Sequence, residues 1–241
     1  MNRRELDLGE ATPHLGLLAR QGEPPARWAT GTEVVIATSP MSAVSEALRT
    51  LRTQLALQWM NQRQVQLLSV VSAVRDEGRS FIAANLAVAF AQLHERTLLI
   101  DMDLRHPRLH QIFRVDNDEG LATLLAGRGN GSGNGHEMHR VEGCETLSLL
   151  PAGPRPTHPQ ELLAARTLGP VLDQLRPHFD VIIIDTPAFS SGADAQIVSA
   201  QARQALLVSA PGRATRDETD QMVGALRQVG VSIAGIAINR R

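Results

Sequence analysis

Short runs of apolar residues, many of them β-branched, alternate along the chain with longer segments whose apolar residues recur at helical spacing. The short runs predict strands at 65–71, 97–101, 146–150, 180–185, 204–209 and 232–238. The longer segments predict helices at 79–94, 107–113, 119–126, 160–165, 167–177, 193–201 and 215–228. This alternation predicts an α/β fold, a mostly parallel sheet with helices on both faces.

The beginning of the chain has a weaker pattern. Residues 1–38 are polar and proline-bearing, so we expect a loosely ordered N-terminal arm with a short strand at 33–37. Residues 39–241 are expected to form one domain that opens with a helix at 40–60. Ser39 is the predicted N-cap of this helix, because the proline that follows it suits the first helical position.

The composition narrows the possible partners. A length of 241 residues suits one α/β domain with an additional arm. The formal net charge of −1 favours neither a nucleic acid nor an anionic membrane as partner. There is no run of about 18 apolar residues and no secretory signal pattern, so we expect a cytoplasmic protein. The sequence contains no lysine and no tyrosine, so arginine supplies every side-chain cation other than histidine.

A turn that ends in Gly-basic-Ser joins the first predicted strand to a buried helix. Such a turn holds the phosphates of a nucleotide, because glycine lets the backbone approach and the amides at the helix start point at the ligand. Gly78 supplies the glycine, and Ser80 has the position whose hydroxyl usually binds Mg²⁺. The turn departs from the usual pattern at Ala73, where a glycine is expected, and at Arg79, which replaces lysine. Taken alone, it also fits a structural turn.

Two further predicted strands end in aspartate. Asp101 and Asp103 close one of them, and Asp185 closes the other. Ligands of parallel α/β proteins bind at the carboxyl ends of strands, so we expect all three carboxylates near the turn. If the strand continues, Asp101 and Asp103 point the same way and can hold a metal or accept a proton; the alternative is a solvated strand end. The three elements together predict nucleotide binding.

These residues resemble the bacterial tyrosine kinases, the cytoplasmic partners of polysaccharide chain-length regulators. The likeness is greatest to the kinases of exopolysaccharide gene clusters and covers residues 40–239. It rests on the phosphate-binding turn at 72–80 and on two acidic motifs at 101–107 and 184–187. It also rests on a proline-containing stretch at 150–163 and on a helix with Glu-x-x-Arg-x-x-Arg spacing at 46–52.

The resemblance implies a P-loop nucleotide-binding fold of the MinD/ParA type, with ATP and Mg²⁺ as cofactors. It implies that the nucleotide contacts the turn and one residue near the adenine ring, namely Asp76, Glu77, Gly78, Arg79, Ser80, Phe81 and Asn239. Ser80, Asp185 and Asp101 would hold Mg²⁺. Asp103 or Asp101 would orient or deprotonate the acceptor hydroxyl, while Arg79 neutralises phosphate charge. For Asn239, a simple strand-end turn is the alternative.

The resemblance also implies self-association and a membrane partner. Glu46, Arg49 and Arg52 match the helix through which such kinases form homo-oligomers, although this spacing also fits a solvated helix face. The implied partner is a membrane chain-length determinant, or polysaccharide co-polymerase, which would hold the protein peripherally at the inner membrane. We expect no nucleic-acid partner.

The chain departs from the family in ways that leave its activity open. Arg75 and Asp76 replace the Pro-Gly common in the family, and Arg79 is bulkier than lysine. Without tyrosine the chain cannot phosphorylate its own tyrosines, so a kinase activity would act in trans. The alternative is a non-catalytic, nucleotide-gated scaffold of the polysaccharide export machinery. A MinD-type division-site ATPase is disfavoured, because Val74 stands where those proteins carry an additional lysine.

Overall fold

A mostly parallel sheet forms the centre of the fold. The computed structural model describes residues 31–60, 65–127 and 138–240. In this part of the chain the sheet has seven strands in the order β3-β4-β2-β5-β1-β6-β7, and only the β3–β4 pair is antiparallel. The strands are β1 (Gln66–Val71), β2 (Thr97–Asp101), β3 (His139–Val141), β4 (Cys144–Leu150), β5 (Val181–Asp185), β6 (Gln204–Ser209) and β7 (Ser232–Ile238).

Helices connect the parallel strands, as parallel pairing requires. They are α1 (Val35–Thr38), α2 (Ala43–Trp59), α3 (Arg79–Ala91), α4 (Leu109–Phe113), α5 (Leu121–Leu125), α6 (Pro159–Ala164), α7 (Leu168–Leu175), α8 (Asp194–Ala202) and α9 (Arg216–Gln228), with 3₁₀ turns at Arg176–His178 and Phe189–Ser191. The predicted α/β fold with a mostly parallel sheet is confirmed, and the ends of these predicted elements differ from the structure by no more than three residues.

The start of the described chain corrects two predictions. The strand predicted at 33–37 is wrong, because Val35–Thr38 is a short helix whose Ile36 N–H donates to Asn85 Oδ1 at 3.1 Å. Ser39 is not the N-cap of α2: Ser42 has that role, and its hydroxyl accepts the Ser45 N–H at 3.2 Å. Residues 31–38 therefore pack onto the domain, whereas residues 1–30 of the predicted arm lie outside the described residues.

Helices cover both faces of the sheet. Alternate residues of β1 point in opposite directions, so Leu68 and Val70 pack with α1–α4 while Leu67 and Val71 pack with the helices of the other face. Helix α3 is buried almost throughout, because α2 covers the side that does not contact the sheet. This sandwich explains why α3 is apolar on all sides.

The register of the central strands brings the predicted site together. Asp101 of β2 pairs directly with Asp185 of β5, and Val70 of β1 pairs with Asp185 from the other side. The residues that follow β1 and β2 therefore emerge next to the Asp185 carboxylate. This edge is the carboxyl end of the parallel strands, where α/β proteins bind ligands.

Candidate functional site

The turn between β1 and α3 has the backbone of a phosphate-binding loop. Asp76 has a φ of 60° and Gly78 a φ of 94°, both in the left-handed region. Aspartate tolerates that region better than most residues, so the turn forms although Asp76 replaces the expected glycine. Gly78 is required for a second reason, because a Cβ atom there would lie 2.2 Å from Asn239 Nδ2.

The loop presents a row of open amide groups. The main-chain N–H groups of residues 75–80 have no hydrogen-bond partner within the described parts of the chain. They lie at the N-terminus of α3, a 13-residue helix whose dipole places partial positive charge at this end. Together these features form a site for a phosphate group. The Phe81 side chain packs into the core beside α1–α4, so its contact with nucleotide stays a prediction.

Glu77 braces the loop from within. Its side chain is 1% exposed, and its two oxygens accept the N–H groups of Val74 at 3.0 Å and Ala210 at 3.1 Å. Asn239 also holds the loop, because its Nδ2 donates to the Glu77 carbonyl at 3.1 Å. Its main-chain N–H donates to the Ser209 carbonyl. The structure thus places Asn239 against the phosphate-binding loop, and its contact with adenine stays a prediction.

Arg79 reaches from the start of α3 back across the loop. Its Nε donates to the Thr186 carbonyl at 2.8 Å, and its Nη1 donates to the Ser72 hydroxyl and to the Val74 carbonyl. Its Nη2 lies 3.6 Å from Asp103 Oδ2, so each nitrogen of the buried guanidinium has a protein partner. Sequence reasoning missed the role of Thr186, which lies in the predicted acidic motif.

The two aspartates after β2 have different surroundings. The strand ends at Asp101, as predicted, so the condition under which Asp101 and Asp103 would point the same way is not met. Asp101 is buried and accepts the N–H groups of Asp103, Arg108 and Leu109, which shapes the loop into α4. Burial, followed by the neighbouring Asp185, raises the pKa of Asp101 well above its ordinary value. Asp103 accepts two N–H groups at Oδ1 and keeps Oδ2 towards Arg79.

Asp185 is the least compensated charge of the site. Its side chain is fully buried, and neither carboxylate oxygen has a hydrogen-bond partner of ordinary geometry among the described residues, although the Ser80 hydroxyl and the Thr186 N–H lie near it. Burial raises the pKa of Asp185 to about 7, although Arg79 and the nearby Ser80 hydroxyl oppose the rise. A buried carboxylate without donors is costly unless a cation binds it.

The side chains at this site are suitable ligands for Mg²⁺. This ion takes oxygen ligands and typically uses one or two carboxylates together with substrate phosphates and water. Asp185 offers two free oxygens and Ser80 a hydroxyl beside it, next to the open amides of the loop. The oxygens of Asp101 are already occupied by main-chain N–H groups, so Asp101 is suited to an indirect role.

The predicted self-association residues lie apart from this site, on α2. Arg49 pairs with Glu46 and also donates to the Pro40 carbonyl at 2.8 Å. Arg52 instead turns towards α3 and donates to the Ala89 carbonyl at 3.4 Å. Their role in self-association stays a prediction.

Two long-range contacts near the site had no signal in the sequence. Arg75 Nη1 lies 3.2 Å from His106 Nε2, which joins the phosphate-binding loop to the loop after β2. Arg105 makes a bidentate contact with the buried Asp194 at 2.6 and 3.2 Å, which ties the same loop to α8. Both pairs join residues far apart in the sequence.

Several known proteins are similar to this chain over most of its length. The YwqD tyrosine-protein kinase of Bacillus subtilis is 32% identical over 206 residues, which cover 86% of this chain and 85% of YwqD. The chain belongs to the bacterial tyrosine kinase family. The kinase domain of Escherichia coli ETK superposes with a TM-score of 0.78 at 30% identity, over 86% of this chain and 79% of that domain. The family model described as cellulose biosynthesis protein BcsQ matches residues 65–221.

The wider fold family is the predicted one. The septum site-determining protein MinD of Pyrococcus horikoshii, solved in complex with Mg-ADP, superposes with a TM-score of 0.60 at 26% identity over 73% of this chain and 70% of MinD. The P-loop fold of MinD type is therefore confirmed. None of the described helices is long and apolar enough to span a membrane.

Proposed function

We propose that this member of the family is a protein kinase that transfers the γ-phosphoryl group of ATP to a tyrosine of another protein in a polysaccharide-synthesis system. One observation carries the proposal: a row of open loop amides shares this end of the sheet with the buried Asp185 carboxylate, whose oxygens have no hydrogen-bond partner of ordinary geometry among the described residues. The amides suit phosphate oxygens and the carboxylate suits the cation that accompanies them. The names of the related tyrosine kinases and of the BcsQ family model support the reaction and the setting.

Each site residue has a proposed part. Ser80 and Asp185 hold Mg²⁺, which on binding neutralises charge on the β- and γ-phosphates. The loop amides and Arg79 bind the phosphates from the other side. Asp103 orients the acceptor hydroxyl and accepts its proton, because Asp103 Oδ2 faces the site while both oxygens of Asp101 are occupied.

The proposed setting follows from the family and from the composition. The acceptor is a separate protein, because the chain contains no tyrosine. The proposed partner is a membrane chain-length determinant, which keeps the kinase peripherally at the inner membrane. Self-association uses the α2 surface around Glu46, Arg49 and Arg52, where the Glu46 side chain is 66% exposed.

Calorimetry followed by a transfer assay tests the proposal. We expect ATP and ADP to bind with Mg²⁺ and to bind much more weakly after chelation. We then expect transfer of labelled phosphate from ATP to tyrosine in proteins encoded in the same gene cluster. Absence of any nucleotide binding at millimolar ligand would contradict the proposal.

A nucleotide-gated scaffold without catalysis is the second candidate. The observation in its favour is that loop, strand and Asp103 groups already hold the Arg79 guanidinium. Arg79→Lys separates the two candidates, because lysine is a point charge that moves more freely towards phosphate. For a kinase, we expect Arg79→Lys to change the transfer rate by less than about tenfold, since both side chains keep the charge. Transfer that occurs only in Arg79→Lys would establish that the natural protein is a scaffold.

A further inference from the structure

The phosphate-binding loop carries two guanidinium groups, Arg75 and Arg79, and the structure gives them opposite surroundings. Arg79 is 8% exposed, and its donors meet the Thr186 and Val74 carbonyls, the Ser72 hydroxyl and Asp103. Moving Arg79 onto a terminal phosphate would leave these buried acceptors unpaired, which is costly. Arg79 is therefore suited to hold the loop and to place its positive charge near the inner phosphates without moving.

Arg75 is exposed and its charge is not neutralised. Its main chain lies within the row of open amides, so its guanidinium is tethered to the loop itself. Within the described residues it forms no ion pair, and its recorded partner is His106 Nε2 at 3.2 Å. Since arginine can only donate, this hydrogen bond requires the tautomer of His106 in which Nε2 is the acceptor.

His106 links Arg75 to the loop that carries Asp103. Asp103 Oδ1 accepts the His106 N–H at 2.9 Å, so His106 belongs to the loop that Asp103 shapes. The contact with His106 therefore joins the Arg75 guanidinium of the phosphate-binding loop to the loop that carries Asp103. An imidazole nitrogen carries no negative charge, so it is a weaker partner for a guanidinium than an anionic phosphate oxygen is.

We propose that Arg75 is a further catalytic residue, whose guanidinium exchanges His106 for the γ-phosphate of ATP. The inference rests on the proposed kinase function. In the transfer, the bond from the γ-phosphorus to the ADP oxygen breaks, the acceptor oxygen bonds to phosphorus, and the acceptor proton passes to Asp103. Arg75 faces the γ-phosphate oxygens, which carry the charge in this step, and so does the work of an arginine finger from within the loop.

Separate titrations with ADP and with a non-hydrolysable ATP analogue, both with Mg²⁺, test this role in the full chain. We expect Arg75→Ala to leave ADP affinity within about twofold and to weaken the ATP analogue at least tenfold. We expect kcat to fall about 10²- to 10³-fold, as for loss of one transition-state donor. His106→Ala should keep the ATP-analogue affinity, because it frees Arg75. Arg166→Ala, which removes an exposed arginine between α6 and α7, controls for the loss of one positive charge.

Other results overturn the inference in distinguishable ways. Parallel losses of ADP and ATP-analogue affinity in Arg75→Ala would mean that Arg75 only shapes the loop. Unchanged affinities and unchanged kcat would mean that it takes no part. An ATP-analogue loss as large in Arg166→Ala would assign the effect to net charge. If the wild-type protein bound neither nucleotide, the proposed function itself would be wrong, together with the inference.

Discussion

At the scale of single residues, the site keeps an uncompensated charge in its interior. Buried carboxylates are normally paired or hydrogen-bonded. Even the partly exposed Asp180, at the opposite end of β5, pairs with Arg96. Asp185 has no such partner, and its pKa is raised to about 7. In the absence of a cation, the folded state bears the cost of this carboxylate.

Asp185→Asn should therefore stabilise the protein without ligand and abolish its response to Mg²⁺. Asp185 keeps its proton to a higher pH in the folded state than in the unfolded state, so its cost grows as the pH rises towards about 7. We expect a rise in the unfolding midpoint of several degrees at pH 8 and a smaller rise at pH 5, measured by calorimetry.

The same variant should bind nucleotide with no dependence on Mg²⁺. Asp180→Asn is a matched control, because it removes a paired and partly exposed carboxylate and should lower the unfolding midpoint. A lower midpoint for Asp185→Asn at pH 8 would show that another group already compensates Asp185.

At the scale of elements, the proline-containing stretch of the family resemblance now has a structural reason. The segment after β4 accepts the first N–H groups of α5, from Leu121 to the Pro151 carbonyl and from Ala122 to the Ala152 carbonyl. Gly120 makes this approach possible, since a Cβ atom there would lie 2.3 Å from the Pro151 carbonyl oxygen. The stretch thus caps a helix.

Gly120→Ala should destabilise the protein by about 1–3 kcal/mol, as for overpacking of a well-filled site. Gly224→Ala is the matched control, because Gly224 lies within α9 with nothing within 4 Å of its added Cβ. It should stabilise by up to about 1 kcal/mol, the helix preference of alanine over glycine. Urea unfolding measures both, and equal signs would contradict the steric argument.

Elements with a continuous apolar pattern were predictable, and elements defined by distant contacts were not. The strands β1, β2 and β5 are buried on both faces, so their sequences reveal them. The three-residue β3 carries a histidine and an arginine and gives no such signal. Val34–Ile36 is rich in β-branched residues that favour a strand, yet α1 forms there because Asn85, far along the chain, accepts the Ile36 N–H.

The candidate site likewise has some features that the sequence predicts and others that only the fold reveals. The open loop and the three aspartates follow from local sequence and from the rule that ligands bind at the carboxyl ends of strands. The inward turn of Glu77 towards Ala210, and the pairing of Arg75 with His106, depend on partners that the fold alone brings near. Sequence reasoning could name these residues but could not assign their contacts.

At the scale of the whole molecule, the two ends of the sheet differ in their electrostatics. The carboxyl end holds three buried aspartates, Asp101, Asp103 and Asp185, with Arg79 among them. The amino end has conventional pairs, such as Arg96 with Asp180, which joins the starts of β2 and β5. The Arg96 side chain lowers the pKa of Asp180, so the ionised pair favours the folded state at neutral pH.

Arg96→Met should lower the unfolding midpoint at pH 7, and the difference from wild type should fade in acid. The pKa of Asp180 is below its ordinary value of 3.8 in the folded state, so its contribution is present above that pH and is lost as the pH falls through the lowered pKa. Thermal unfolding from pH 7 to pH 3 measures this. A difference that stays constant over the range would assign the effect to packing of the arginine stem.

One carboxylate side chain physically links two distant segments of the molecule. One oxygen of Glu77 accepts the Val74 N–H, and the other accepts the N–H of Ala210, which follows β6. A ligand that shifted the loop amides would therefore act, through Glu77, on the segment that leads from β6 to α9. That segment lies beside β7, the last strand of the described sheet, so occupancy of the pocket is coupled by hydrogen bonds to the outer part of the molecule.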